Sequence, residues 1–188
     1  LLENDSIILH LGEKYQAVGY TAAISRLTQA HLVEIQLSKR SKINKLIWNE
    51  IVKAKIENQA QVISTMNPER ENPVSRFLRM SVPDEATAAR VYWGEYFKIL
   101  KQSEIRGPNR DRRSSDLVNV SLNYGYAILS ALIHRSLLVH GFIPQLGIHH
   151  KYRFRSLPLV YDLMEPFRPF VDLHIYEIMN SNVSFEDE

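Results

Sequence analysis

Three short stretches of the chain carry polar side chains whose types suit divalent-cation chemistry. Glu85 stands at a predicted helix start and is followed by a run of small residues that would let a partner approach its carboxylate. The stretch from Leu146 to His150 is a glycine turn that ends in two histidines. Asp162 and Glu165 are three residues apart and would share one face of a helix.

Carboxylates combined with an imidazole, and with no thiolate, form a hard, oxygen-rich donor set. Such a set suits Mg²⁺ or Mn²⁺ rather than structural zinc, and the imidazole favours Mn²⁺ over Mg²⁺. A cation of this kind activates a hydroxyl nucleophile, neutralises the charge that develops on phosphorus and holds the leaving oxygen. One interpretation of the three stretches is therefore a metal site for phosphodiester chemistry.

Each of these residues also has an ordinary structural interpretation. Glu85 could serve only as a first-turn acid that complements the helix dipole, and Asp162 could cap the last helix. A single loop histidine is more often a hydrogen-bonded residue than a ligand, and Glu165 taken alone is typical of a surface acid. Residue spacing by itself leaves the metal site and these structural roles both open.

The elements that must position these residues are mainly helical. Within residues 1–20, Ser6–His10 predicts a short strand and Glu13–Gly19 a turn or return strand. Apolar residues at helical spacing follow, most clearly from Lys45 to Val62. We therefore predict a mainly α fold with a short β remnant. Residues 1–20 would be a β segment or a linker, and residues 21–188 an α-helical domain.

Three further helices are predicted around the polar stretches. The Ser81–Asp84 segment matches a capping box and places Glu85 in the opening turn of a helix. A long apolar helix is predicted from about Asp116 to His140. The last helix is predicted from about Tyr161 to Met179, with a bend at Pro169.

Composition limits the classes of protein that the chain can belong to. Its 188 residues fit one domain with a real core. The chain has no cysteine, which excludes a disulfide framework, a thiolate zinc site and a cysteine nucleophile. The most apolar stretch, Leu117–Val139, is interrupted by polar residues and predicts a buried helix rather than a membrane span. No signal peptide is recognised at the start of the sequence.

Basic residues are clustered although the formal net charge is only +2. Such clusters can follow a phosphate backbone, and they can equally be solvated helix faces. The candidates for DNA contact are Lys53, Lys55, Arg106, Arg110, Arg112, Arg113, Lys151 and Arg153.

Five segments follow one another in an order that is more specific than any one of them. They are the basic stretch Lys53–Ala60, the glutamate-bearing stretch Asp84–Trp93, the Asn-Tyr-Gly-Tyr stretch Asn123–Leu129, Gly141–His150, and Tyr161–Asp172 with its Asp-Leu-Met-Glu-Pro-Phe-Arg-Pro run. Together they resemble the signature of the CRISPR-associated adaptation (spacer-acquisition) integrase family. The resemblance covers roughly residues 1 to 178 and implies the catalytic helical lobe of that family. It implies that residues 1–20 are the end of an N-terminal β region or a linker and that residues 21–188 are an α-helical catalytic domain.

The resemblance also implies a site. In this family a glutamate, a histidine and a carboxylate hold the metal, and these positions fall on Glu85, His150 and Glu165. The three residues are the expected catalytic and metal-ligating residues, with Mg²⁺ or Mn²⁺ as the cofactor. Supporting candidates are Asp162, Tyr124 and Asn123.

The activity implied by the resemblance is that of a metal-dependent DNA integrase and endonuclease. The 3′-hydroxyl of a short DNA fragment would attack a phosphodiester at the edge of a CRISPR repeat, which inserts a spacer into the array by transesterification. The implied partners are double-stranded DNA as donor and target, further copies of the chain and a small ferredoxin-like adaptation protein. The implied location is the prokaryotic cytoplasm, with no membrane partner. Two alternatives stay open, a non-catalytic DNA-binding or scaffolding subunit and a repair nuclease.

One feature departs from the family pattern. Family members usually carry an N-terminal β-rich domain that forms the dimer, and only residues 1–20 resemble its end. Since the sequence begins at Leu1, we expect either that upstream residues have been removed or that this is a short member. The dimer interface and the need for the small adaptation protein are open for the same reason.

Overall fold

A computed structural model of the chain describes residues 8–12, 17–21, 30–38, 41–101, 110–151, 153 and 156–181. The predicted fold class is confirmed, since the structure is mainly helical with one small antiparallel sheet in its described part. The elements are β1 Ile8–Leu11, β2 Ala17–Thr21, α1 Ala30–Leu37, α2 Ser41–Met66, α3 Glu85–Lys101, α4 Leu117–Val139, α5 Pro158–Met164 and α6 Arg168–Asn180, with 3₁₀ turns at Ser75–Arg79 and Glu165–Phe167.

The two N-terminal strands form a hairpin, in which β1 overlaps the predicted strand Ser6–His10 and β2 overlaps the predicted turn or return strand Glu13–Gly19. β1 and β2 pair antiparallel, with His10 opposite Gly19 and an irregular register between His10 and Leu11. The start of the first predicted strand, residues 6 and 7, and the segment 13–16 lie outside the described residues. The domain boundary placed at residue 20 stays a prediction.

The chain divides into two compact units. The first consists of residues 1–51 and 127–165, and the second of residues 52–126 and 166–188. Helices α2 and α4 therefore each supply residues to both units. No helix in the described part of the chain is both long enough and apolar enough to cross a membrane.

The first unit has a small apolar core around the end of α4 and the start of α5. Leu137, Leu159 and Val160 are buried there, and Phe142 and Ile148 are among the partly buried residues packed against them. This packing connects α4 and α5 to the irregular segment between them, which carries the two histidines.

Helix α4 ends through a glycine, which directs the chain into that segment. Gly141 has a φ of 76°, in the left-handed region that glycine adopts without steric cost. The Phe142 N–H donates to the Leu137 carbonyl at 2.9 Å, and the Gly141 N–H donates to the Leu138 carbonyl at 3.1 Å. This pair of bonds is a Schellman motif, which satisfies carbonyls at the helix end.

The second unit has an aromatic core supplied largely by α3. Tyr92, Tyr96 and Phe97 are almost fully buried. Gly125 of α4 is required by close packing, because a Cβ atom there would lie 2.5 Å from Val171 Cγ1 of α6. The glycine of the Asn-Tyr-Gly-Tyr segment therefore has a packing reason within this unit.

The start of α3 differs from the prediction in its register. Asp84, rather than Ser81, caps the helix, since its Oδ1 accepts the Thr87 N–H at 3.1 Å. This backbone hydrogen bond lowers the pKa of Asp84 below its usual value. Glu85 is the first residue of α3, so its predicted place in the opening turn is confirmed.

The C-terminal helix is interrupted at a different proline from the one predicted from the sequence. The helix begins at Pro158 rather than near Tyr161, and α5 and α6 are separated by the 3₁₀ turn Glu165–Phe167. Pro166 lies in this turn and can neither donate a helical hydrogen bond nor fit against the preceding turn. The predicted bend at Pro169 is wrong, because Pro169 lies in the first turn of α6, where its missing N–H costs nothing.

Candidate metal centre and basic surface

Helix α5 places a buried carboxylate beside the histidine turn of the first unit. Asp162 is fully buried and accepts hydrogen bonds from the three consecutive N–H groups of residues 148–150, at 2.6, 3.0 and 3.1 Å. Its Oδ1 lies 2.6 Å from His150 Nδ1. Because a carboxylate only accepts hydrogen bonds, Nδ1 carries a proton, and in the neutral ring Nε2 keeps its lone pair. A carboxylate fixes the tautomer of a metal-binding histidine in this way.

Gly147 makes the approach between Asp162 and the turn possible. A Cβ atom at this position would lie 2.5 Å from the His150 carbonyl oxygen, 2.6 Å from Pro158 Cβ and 3.0 Å from Asp162 Oδ2. Two of these three contacts are with groups that have little freedom to move, so a side chain does not fit. The glycine of the predicted turn is therefore required by close packing.

Trp48 is a contact of the histidine turn that the sequence did not predict. Its ring stacks on the His149 ring, with centroids 4.1 Å apart and planes 5° from parallel. It also meets the His150 ring edge-on, at a centroid distance of 5.7 Å. Trp48 is about a hundred residues before the histidines in the chain, and no spacing rule joins positions so far apart.

In the second unit, Glu85 is held by an ion pair. Its Oε1 lies 2.7 Å from Lys55 Nζ, and the side chains of Lys55 and Glu85 are 12% and 34% exposed. The ammonium group supplies positive charge at a carboxylate that is predicted to bind a cation. A divalent cation would compete with this ammonium group for the same oxygen.

Glu165 is buried, with 8% of its surface exposed. It opens the 3₁₀ turn Glu165–Phe167 that follows α5. The ordinary interpretation of Glu165 as a surface acid is therefore wrong. A carboxylate is buried only where charge or hydrogen bonds compensate it, which suits a ligand as well as a structural residue.

The three predicted ligands are divided between the two units of the chain. In the part of the chain that the structure describes, no three His, Asp or Glu side chains are grouped in a way that could hold a metal ion. His150 and Glu165 belong to the first unit and Glu85 to the second. The joint ligand set stays a prediction, whereas the His150–Asp162 and Glu85–Lys55 contacts are observed.

Asn123, one of the supporting candidates, holds the basic segment before α4. Arg110 donates from Nη1 to Asn119 Oδ1 at 2.7 Å and from Nη2 to Asn123 Oδ1 at 2.5 Å. Asn123 Nδ2 donates in turn to the Arg112 carbonyl oxygen at 3.0 Å. Tyr124 is 46% exposed. The observed role of Asn123 is to order this segment, and roles of Asn123 and Tyr124 toward a substrate stay predictions.

The predicted DNA-contact residues differ in their surroundings. Lys55 is engaged by Glu85, and burial lowers the pKa of the half-buried Arg110 guanidinium. Lys53 is partly exposed, and Arg106 lies outside the described residues. The exposed members of the set are Arg112, Arg113, Lys151 and Arg153.

A third buried carboxylate, Asp172 of α6, lies in the second unit. The Tyr92 hydroxyl donates to Asp172 Oδ2 at 2.7 Å, and the Tyr126 hydroxyl donates to Oδ1. Burial raises the pKa of Asp172 to about 7, against the opposing effect of the tyrosine hydrogen bonds and of Arg168 and Arg110. Asp172 ends the last segment of the signature, and no role was predicted for it from the sequence.

Comparison with known proteins adds to this geometry. The family model described as "CRISPR associated protein Cas1" matches residues 1–187. The chain belongs to the Cas1 family. The resemblance stated from the sequence is thereby confirmed.

Individual Cas1 relatives agree with this assignment. The CRISPR-associated endonuclease Cas1 of Neisseria meningitidis serogroup C (strain 8013) is 30% identical over 187 residues, which cover 94% of this chain and 59% of that protein. The CRISPR-associated endonuclease Cas1 2 of Saccharolobus solfataricus is 36% identical over 139 residues, covering 70% of this chain and 42% of that protein. The chain thus spans about half the length of these Cas1 relatives.

A solved structure shows the same fold. The structure "Casposase bound to integration product" has a TM-score of 0.73 at 24% identity, and the match covers 96% of this chain and 55% of the casposase chain. At this identity the match establishes the fold alone.

Proposed function

We propose that the chain is the catalytic helical lobe of a metal-dependent DNA integrase. It inserts short DNA fragments into a CRISPR array by 3′-hydroxyl transesterification and has an associated endonuclease activity. The observation that carries this proposal is the contact between His150 Nδ1 and the buried Asp162 carboxylate, which leaves Nε2 to bind a cation. The names of the Cas1 relatives, which are endonucleases, support the same class of chemistry.

Glu85, His150 and Glu165 are the residues that would hold Mg²⁺ or Mn²⁺. Two carboxylates and a neutral imidazole form a donor set that fits these cations. A cation held by these residues would supply positive charge next to the attacking hydroxyl and the phosphate.

In the reaction, the 3′-oxygen of the fragment forms a new bond to phosphorus while the bond from phosphorus to the old 3′-oxygen breaks. Because one phosphorus–oxygen bond forms and one breaks, the number of phosphodiester bonds is unchanged. The attacking hydroxyl gives up its proton, and the leaving oxygen takes one up. Endonuclease activity is the same displacement with water as the nucleophile.

The chain's own residues orient and neutralise the groups around this reaction. Asp162 holds the ring and the backbone of His150 through its hydrogen bonds. Without a bound cation, Lys55 keeps the Glu85 carboxylate paired with a positive charge. The exposed Arg112, Arg113 and Lys151 would contact phosphates without reading base sequence.

The proposed partners are double-stranded DNA, further copies of the chain and a small adaptation protein. The proposal of a DNA partner is supported by the exposed basic residues and by the similar casposase, whose structure is described as bound to an integration product. The proposal of a small partner protein is supported by a solved structure of similar fold, described as "Cas6-RT-Cas1–Cas2 complex". The match covers 97% of this chain and 22% of that chain, with a TM-score of 0.74 at 23% identity. The proposed location is the prokaryotic cytoplasm.

The experiment that tests the proposal is a strand-transfer assay with and without metal. A duplex with a free 3′-hydroxyl is joined to a supercoiled plasmid carrying CRISPR repeats, in Mn²⁺, in Mg²⁺ or in EDTA. Alanine at Glu85, His150 or Glu165 should lower the joining rate by at least about 100-fold while DNA binding survives, because each change removes an expected ligand. The matched control is His174→Ala, since His174 is an exposed histidine on α6. Joining at the normal rate by His150→Ala would show that the site assignment is wrong.

A second candidate function is favoured by the Glu85–Lys55 ion pair. In a non-catalytic DNA-binding or scaffolding subunit, this pair would only join α2 to α3. Glu85→Ala would then lower the melting temperature and leave the activity of an assembly containing the chain intact. Measuring melting temperature and joining rate on the same variant separates the two functions.

A further inference from the structure

Trp48 and the two histidines of the first unit form a set of three rings in mutual contact. The indole stacks on His149 at 4.1 Å and meets His150 edge-on at 5.7 Å and 89°. The His149 and His150 rings contact each other at 5.6 Å and 89°. These ring contacts are additional to the hydrogen bonds that Asp162 makes with the turn.

These three rings restrain the rotation of the His150 ring, which a single hydrogen bond does not fix. A hydrogen bond through Nδ1 fixes one atom of the His150 ring, but the torsion that sets the ring plane has a broad energy profile. Neighbouring aromatic rings limit this torsion, because edge-on and stacked contacts are favourable only over a narrow range of angles. Trp48 is suited to limit the rotation of the His150 ring because it lies on the long helix α2, and side chains on helices are held more accurately than side chains on loops.

We propose that Trp48 is a positioning residue whose stack on His149 holds the His150 imidazole in the orientation that presents Nε2 to a divalent cation. This inference rests on the ligand role proposed for His150. Trp48 would act through the two histidines and is not itself proposed as a ligand of the cation. The expected effect is moderate, because a stacked aromatic pair shifts an equilibrium by roughly two- to tenfold.

The first test reads the His150 ring directly, in metal-free protein. Histidine labelled with ¹⁵N is observed by long-range ¹H–¹⁵N correlation at about pH 8, where an ordinary imidazole is neutral. The His150 signals are assigned from the His150→Ala spectrum. In the unsubstituted chain, His150 should give the shifts of a ring protonated at Nδ1. Trp48→Leu keeps an apolar side chain but removes the stack, and it should move the His150 shifts toward a mixture of the two tautomers.

The second test measures cation binding without activity. The free Mn²⁺ signal in electron paramagnetic resonance gives the dissociation constant for each variant. Trp48→Leu should raise this constant roughly three- to tenfold, and Trp48→Phe, which keeps an aromatic face, should restore most of the affinity. Trp93→Leu is the matched control, because the rings that Trp93 contacts are those of Tyr92, Tyr96 and Phe97 in the second unit.

A double-mutant cycle separates positioning from a general loss of stability. If Trp48 acts through His149, then Trp48→Leu, His149→Ala and the double variant should raise the Mn²⁺ dissociation constant by similar factors. If the two effects multiply instead, the stack is not the route and the inference is overturned. Unchanged His150 shifts together with an unchanged dissociation constant in Trp48→Leu would overturn it as well.

The failure of this inference is distinguishable from the failure of the proposed function. If His150→Ala joins DNA at the normal rate, the proposed function fails, and the observed contacts of Trp48 then have no role in it. Loss of joining in His150→Ala, combined with a Trp48→Leu protein that matches the unsubstituted chain in both tests, keeps the function and removes the role of Trp48.

Discussion

Replacing Asp172 with asparagine should remove a pH-dependent loss of stability from the second unit. Desolvation of this buried carboxyl raises its pKa from 3.8 to about 7, although hydrogen bonds from Tyr126 and Tyr92 and the charges of Arg168 and Arg110 favour ionisation. The pKa in the folded chain is thus above the unfolded value. The corresponding stabilisation is fully present below about pH 4 and is lost as the pH rises through about 7.

The magnitude follows from the size of the rise in pKa. An increase from 3.8 to about 7 corresponds to about 4 kcal/mol between the two protonation states. Asparagine has nearly the same shape and does not titrate. Its carbonyl oxygen can accept from one tyrosine hydroxyl while its amide donates to the oxygen of the other. Between about pH 4.5 and about pH 8, the difference in unfolding free energy should therefore shift in favour of Asp172→Asn by about 3–4 kcal/mol.

The assay is urea unfolding followed by circular dichroism at several pH values, with the two proteins compared at each pH. Taking the difference removes the contributions of all other titrating groups. Asp116→Asn is a control of opposite sign. Desolvation acts to raise the pKa of Asp116, but hydrogen bonds from Ser114 and Asn119 outweigh it and leave the pKa lowered. That variant should lose stability relative to the unsubstituted chain as the pH rises from 3 toward 6. A constant difference between Asp172→Asn and the unsubstituted chain over the whole range would refute the reasoning.

Three other substitutions test the contacts of the candidate site. Asp162→Asn places an amide where four hydrogen bonds are accepted, so Mn²⁺ affinity in paramagnetic resonance should fall about 10- to 100-fold; an unchanged affinity would remove Asp162 from the site. Gly147→Ala puts a Cβ 2.5 Å from the His150 carbonyl oxygen and should lower the unfolding free energy by about 1–3 kcal/mol, measured by urea unfolding. A fully stable Gly147→Ala chain would mean that the turn relaxes easily. Lys55→Gln removes the ammonium group that competes for Glu85 and should raise Mn²⁺ affinity by about threefold, and a lower affinity would contradict that competition.

The types of most elements could be predicted because they depend on local periodicity. The short apolar run within Ser6–His10 indicated β1, and helical spacing indicated α2. The end of α4 was close to its prediction because Gly141 is one of the few residues that adopt a positive φ without strain. The 3₁₀ turn Ser75–Arg79 was missed, since the asparagines and prolines before it indicate only a break.

The errors occurred where two signals of the same kind competed within one turn. Ser81 and Asp84 are both good helix caps, and only the position of the first helical residue decides between them. Pro166 and Pro169 both disfavour helix, and which of them breaks it depends on where the next helix begins. Such choices are made by packing, which the local sequence does not contain.

The candidate site residues stay predictions, and the contacts that the structure shows for them could not be read from the sequence. The spacing of Asp162 and Glu165 suggested a shared helix face, but the 3₁₀ turn beginning at Glu165 follows α5 directly, and Asp162 is occupied by the histidine turn. Hydrogen bonds to three consecutive N–H groups depend on how a loop folds back onto a helix. Trp48 could not have been found from spacing, because aromatic stacking joins residues that are distant in sequence.

The two buried aspartates show how surroundings decide the role of one residue type. Asp162 accepts hydrogen bonds from a partly exposed turn that carries the His150 imidazole. A carboxylate in this position fixes the orientation of the imidazole and makes its free nitrogen a better ligand. Asp172 accepts bonds from two buried tyrosine hydroxyls, and desolvation by burial raises its pKa although those bonds and the charges of Arg168 and Arg110 oppose the rise. The first arrangement fits the proposed support of a cation site, and the second is that of a core residue whose protonation state changes the stability. For this reason we expect substitutions of Asp162 to act mainly on cation affinity and substitutions of Asp172 mainly on the pH dependence of unfolding.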